Sequence, residues 1–138
     1  MSGDSREALI IEVMNQMAAV QRSSQAFSER ITKRSSLTQN QTMLLMQLRL
    51  SGSLNVSDVA ERFIITPGAA SSMCDKLEDL GLVQRLRTKE DRRVVRIALT
   101  AEGESRVADL FDTFGEEQLA RTAQALAKVQ ELMAGVLE

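Results

Sequence analysis

Apolar residues recur along the first third of the chain at three- and four-residue steps: Leu9, Val13, Met17, Val20, Phe27 and Ile31, with one wider gap filled by Ser23 and Ser24. That period predicts a long amphipathic helix starting near Asp4 or Ser5. The Ser35-Ser36 pair breaks it. Thr38 with Gln41 three residues later has the spacing of a capping box, and a second helix follows through Met43, Leu45, Met46 and Leu48 until Ser51-Gly52-Ser53. Asn55 then caps a short third helix, with Asp58 at its third position and Val59, Ala60 and Phe63 turned inward.

Thr66-Pro67 is a strong helix start, because the hydroxyl can accept from free amides and proline at the first helical position forfeits no hydrogen bond. The fourth helix buries a stripe of Ala70, Met73, Cys74, Leu77 and Leu80, and Gly81 suits a left-handed C-terminal cap. Two short helices joined by a tight turn are the pattern of a helix-turn-helix. Beyond it, Leu82–Arg87 and Arg93–Leu99 read as two strands flanking a charged tip of Thr88 to Arg92. Thr100 caps a further helix with Glu102 and Glu104 in its first turn and Val107, Leu110, Phe111, Phe114 and Leu119 on its apolar side. A last helix, begun near Thr122, carries Leu126, Val129, Met133 and Val136. The fold class is mainly α with a small β-hairpin wing, and no internal repeat is present.

Composition narrows the chemistry. The 138 residues include no histidine, tyrosine or tryptophan and one cysteine. A Cys/His metal site cannot be assembled within one chain, and the usual proton shuttle is missing. No GxSxG, GxxxxGK[ST] or strand-linked GxGxxG occurs, so the sequence predicts neither an enzyme nor a cofactor. No apolar run approaches the roughly 18 residues of a bilayer span, so no membrane partner is expected. Met1 to Glu7 is not followed by a signal-peptide core, and the lone Cys74 suits a reducing compartment; together these predict a cytoplasmic protein.

Charge distribution is more informative than the net charge of −2. Between Leu82 and Leu99, six cations (Arg85, Arg87, Lys89, Arg92, Arg93, Arg96) face two anions (Glu90, Asp91), a local +4 that leaves −6 on the rest. A basic hairpin on an acidic body is an electrostatic footprint for DNA. Taken alone it equally suits an edge strand kept soluble by charge; joined to a helix-turn-helix, DNA is the better reading.

The ordered set Leu54-Asn-Val-Ser-Asp-Val-Ala-Glu-Arg-Phe63, Thr66-Pro67, Leu77-Glu-Asp-Leu-Gly-Leu-Val83, Asp91-Arg-Arg93 and Leu99-Thr-Ala-Glu-Gly103 resembles the MarR family of bacterial transcriptional regulators. The resemblance implies a winged helix-turn-helix at 37–100 between dimerisation helices at 1–36 and 101–138, all in one compact unit. It implies a homodimer that regulates transcription, as a repressor, on a pseudo-palindromic operator in double-stranded DNA. The surplus apolar surface of the terminal helices supports a second copy on physical grounds. By the same resemblance, Arg93 enters the minor groove while Asp91 orients neighbouring arginines, and Arg87, Lys89, Arg92 and Arg96 meet the backbone. Thr66, Gly68, Ala69, Ser71, Ser72 and Lys76 of the recognition helix face the major groove.

This chain departs from the family pattern in three places. Ser72 stands where arginine is common, leaving few long donors for base reading, which favours shape-driven specificity. Ile64 stands where the turn often has glycine, so either a left-handed isoleucine or an altered turn is expected. Thr88 replaces a frequent aspartate at the start of the wing. A small-molecule effector is a further expected partner, in a crevice to which Met14, Met17, Phe27, Met43 and Met46 could contribute, although methionines at helical spacing are also ordinary core. Cys74 reads as a small core residue. The small residues of the recognition helix and the acidic body motivate an alternative, a winged-helix protein-interaction module with little DNA binding.

Overall fold

Helix starts are where local sequence dictates this fold most directly. In the computed structural model, which describes residues 3–138, α1 spans Gly3–Ser35 and α2 Gln39–Ser51. Thr38 Oγ1 accepts from the Gln41 amide and Gln41 Oε1 from the Thr38 amide, both at 3.1 Å, which closes the expected capping box. Asn55 and Asp58 make the same reciprocal pair at the start of α3 (Val56–Phe63). Thr66 accepts from the Ala69 amide, with Pro67 as the first residue of α4 (Pro67–Asp79). Thr100 accepts from the Gly103 amide and starts α5 (Ala101–Asp109). Each side chain satisfies an amide that the helix itself leaves orphaned.

The wing is built from β2 (Val83–Arg87) and β3 (Val95–Leu99), and β3 is flanked on its other edge by β1 (Ser53–Asn55), in the order β1-β3-β2. Both pairings are antiparallel, and Ile97 lies opposite Leu54 on one side and Arg85 on the other. Leu44, Leu45 and Leu48 of α2 are fully buried with Leu54, Val59, Ala70, Cys74, Leu77, Leu82, Val83, Ile97 and Val107. The last helix, α6 (Glu116–Leu137), contributes no buried residue.

Four sequence expectations are corrected. The segment after Gly52 is a strand, because Leu54 fills a core position and three residues suffice to cover the edge of β3. The wing's second strand starts at Val95, not Arg93, because the Val94 amide is used in the tip turn, donating to Asp91 O at 3.1 Å. The helix opened by Thr100 ends at Asp109 and the last helix starts at Glu116, with Gly115 as its cap, so Thr122 lies inside α6 rather than at its start. The intervening turn folds Phe111 and Phe114 onto Phe27 of α1, with ring centroids 5.5–6.2 Å apart, and this aromatic packing replaces a continuous helix. Leu80 is half exposed, because α4 has ended and its side chain sits past the buried stripe.

Two backbone constraints bear on the helix-turn-helix and the wing. Ile64 keeps the left-handed turn (φ 53°, ψ 53°), its amide donating to Glu61 O at 3.3 Å, with the side chain 91% exposed. A β-branched residue there is strained without any packing in return. Gly103 presses against the backbone entering the wing: a Cβ on it would lie 2.0 Å from Leu82 O. The glycine of the Leu-Thr-Ala-Glu-Gly run is therefore a close-approach residue that lets α5 seat on the foot of the hairpin. Beside it, Thr100 Oγ1 donates to Gly81 O at 2.6 Å.

The long helix α1 is fastened at its C-terminal end. Ser35 Oγ lies 2.7 Å from both Thr32 O and Thr42 Oγ1 of α2, and Arg106 of α5 donates to Ser35 O at 2.7 Å. Arg34 pairs with Asp112. Opposite outcomes are expected from two substitutions in denaturant titrations. Ile64→Gly raises stability by about 1 kcal/mol through relief of the left-handed strain, whereas Gly103→Ala lowers it by about 2 kcal/mol or more through overlap with Leu82.

Candidate nucleic-acid interface

The wing tip is organised by short-range hydrogen bonds that its sequence makes unavoidable. Thr88 Oγ1 accepts from the Asp91 amide at 3.1 Å and donates to Asp91 O at 2.8 Å. Threonine thus makes the loop-closing bonds at the position where aspartate is frequent. Asp91 Oδ1 in turn accepts from the Arg93 amide at 3.0 Å and from Arg93 Nε at 3.2 Å. One carboxylate therefore aims the guanidinium while leaving it 93% exposed. Arg87 Nη1 donates to Arg92 O at 2.7 Å and ties the two sides of the hairpin together.

The remaining predicted wing residues differ in what they are free to do. Lys89 and Arg92 are exposed at the tip. Arg96 is half-buried: its Nε donates to Ser53 Oγ at 2.7 Å and Nη2 to Ser53 O at 3.2 Å, so it braces β3 against β1. Thr66, the cap of α4, and Gly68, Ala69, Ser72 and Lys76 on the helix are exposed, and Ser71 is half-buried. The Thr66 hydroxyl is engaged as the helix cap. An open groove of about 610 Å³ runs between the start of α2 and the outer face of α4, lined among others by Gln39, Asn40, Ala69, Ser72 and Lys76.

Arg85 escaped the sequence reading except as one unit of hairpin charge. Its Nη1 donates to Glu78 Oε1 at 2.8 Å and its Nη2 pairs with Asp75, both on α4. The hydrogen bond to Asp75, reinforced by the charge of Glu78, raises its pKa above the ordinary arginine value. Acids at positions 75 and 78 share one flank of a helix, and that spacing was the available signal.

The crevice residues are not brought together. Met14 and Met17 are exposed on α1, Met43 and Met46 are half-buried on α2, and Phe27 belongs to the aromatic cluster. Cys74 is fully buried in the core against the sheet. Burial pushes its thiol above the usual value of 9.0, a shift that the nearby Arg85 partly opposes. Among the described residues, no helix is long and apolar enough to cross a membrane.

A helical core with a three-stranded sheet, an exposed second helix and a basic hairpin defines a winged helix-turn-helix protein. The sequence matches the MarR family model over residues 37–95. It is 30% identical over 133 residues to the HTH-type transcriptional repressor MdtR of Bacillus subtilis, covering 83% of this chain and 86% of the relative. The chain belongs to the MarR family, and is thus a transcriptional regulator and not an enzyme. Among solved structures, the YusO protein from Bacillus subtilis is 27% identical with a TM-score of 0.57, covering 95% of this chain and 99% of that one. A mutant MarR from E. coli complexed with operator DNA shares the fold at 21% identity and a TM-score of 0.60, covering 92% and 96% of the two chains.

The folded chain holds the Cys74 proton that the unfolded chain releases first. This site's contribution to stability is therefore complete below pH 9.0 and is lost as pH rises through the higher folded-state value. A thiol-reactive dye at neutral pH is expected to label Cys74 only at the rate of global unfolding; rapid labelling of native protein would contradict this burial.

Proposed function

We propose that this regulator works as a homodimeric repressor on a pseudo-palindromic operator, gripping DNA chiefly through the wing. The observation that carries the reading is Arg93, held by Asp91 and left almost wholly exposed at the hairpin tip. A guanidinium in that state suits a narrow, negative minor groove. The outward face of α4 offers small side chains and Lys76, so base reading in the major groove contributes less than backbone contact and DNA shape. The E. coli neighbour held on operator DNA and the relative named as a repressor agree with this assignment.

Dimerisation falls to α1 and α6, with α5 joining them to the DNA-reading unit of residues 37–100. Leu9, Val13, Met17 and Val20 on α1, with Leu126, Val129 and Met133 on α6, are exposed on the single chain. A helix with no buried residue of its own is marginal in water, so α6 needs a partner surface. A second copy supplies the same apolar stripe, as a two-fold interface requires. A regulator that binds chromosomal DNA works in the cytoplasm. A small-molecule effector would act by shifting the angle that the Ser35, Thr42 and Arg106 joint sets between α1 and the wing.

In salt titrations of operator binding, Arg93→Ala is expected to weaken affinity by about 1–3 kcal/mol and lower the salt slope by about one unit; unchanged affinity would remove the wing from the interface. Leu126→Arg combined with Val129→Arg is expected to convert a sedimenting dimer into single chains with a lower melting temperature. A wild-type chain that sediments as a monomer would overturn the dimer.

A further inference from the structure

The recognition helix has the wrong charge for its task. Between Thr66 and Leu80 it carries one cation, Lys76, against Asp75, Glu78 and Asp79. Left unbalanced, those carboxylates would repel the phosphates that α4 must approach. Arg85 on β2 alters the balance by reaching across to bridge Asp75 and Glu78 together. Its side chain is 29% exposed, whereas those of Asp75 and Glu78 are 58% and 41% exposed, so the anions and not the cation are the groups that face outward. The bridge also joins the second half of α4 to the first strand of the wing, the two elements that must hold their relative angle on a duplex. The outward cations of the hairpin are then Arg87, Lys89, Arg92 and Arg93, and Arg85 is occupied internally.

We propose that Arg85 is a positioning and charge-masking residue for DNA binding: it neutralises the Asp75 and Glu78 flank of the recognition helix and makes no phosphate contact itself. The inference rests on the functional reading above, and a single set of titrations separates the two. The full-length dimer is bound to a mixed-sequence DNA duplex across a salt series, as wild type, as Arg85→Gln, and as Arg85→Gln with Asp75→Asn and Glu78→Gln.

Arg85→Gln unmasks two anions beside the duplex and is expected to weaken binding by about tenfold or more at low salt. The triple variant removes the anions along with the cation, and is expected to return to within about threefold of wild type with an unchanged salt slope. A purely structural role would not predict this rescue by removal of the acids. If the triple variant stays as weak as the single one, with a slope about one unit smaller, Arg85 touches phosphate and the proposal is overturned. Arg85→Gln that binds as tightly as wild type overturns the proposal as well, and all variants are assayed below the melting temperature of Arg85→Gln. A wild-type chain that binds no duplex overturns the functional reading and this inference with it; a wild type that binds while the triple variant does not overturns this inference alone.

Discussion

Burial of Leu44, Leu45 and Leu48 on α2 is the interaction around which the molecule is assembled. These three side chains point into the space where α4, the sheet and α5 converge, and they account for why such a short chain can organise so many elements. The same helix carries Thr42, which meets Ser35 at the end of α1, so the core that shapes the wing also receives the long helix. Displacing α2 would therefore move α4, the wing and α1 together. Such a common support couples the elements it carries, because packed cores shift between discrete arrangements rather than deforming smoothly.

Electrostatics divides the chain differently from packing. An acidic protein can approach a polyanion only where its cations are gathered and its anions are paired or turned away. Here the gathering is done by the hairpin, whose tip is shaped by Thr88 and Asp91, and part of the pairing is done by Arg85. Arg96 shows that sequence charge and available charge are separate quantities, since its guanidinium is spent on Ser53.

Much of the architecture could be read in advance because its punctuation is local. Thr38 with Gln41, Asn55 with Asp58, Thr66 before Pro67, and Thr100 each act on amides three residues away, so the sequence displays both partners. The strand at Ser53–Asn55 could not be read, since three residues are too few to show an alternating period and its stability comes from β3, more than forty residues later. The break before α6 was hidden for another reason: Phe111 and Phe114 continue a helical period while their packing on Phe27 depends on tertiary structure. At the candidate interface, the small face of α4 and the cations of the tip were legible from residue type. The ion bridge of Arg85 and the brace of Arg96 were not, because each joins segments that only the fold brings together.

The feet of the hairpin have one more consequence. At one end Gly103 lies against Leu82 and Thr100 is tied to Gly81, while β3 pairs with β2 throughout and with β1 from Arg96 to Ala98. The residues from Thr88 to Arg93 are held by the turn bonds of Thr88 and Asp91 and by the bonds that Arg87 and Val94 make to them from either side. Ordering a backbone residue costs about 1–2 kcal/mol in conformational entropy, so on the proposed reading a wing rooted in this way loses little disorder on meeting a groove. The chain thus presents the exposed Arg93 guanidinium at the far end of a hairpin whose foot is fastened to the core.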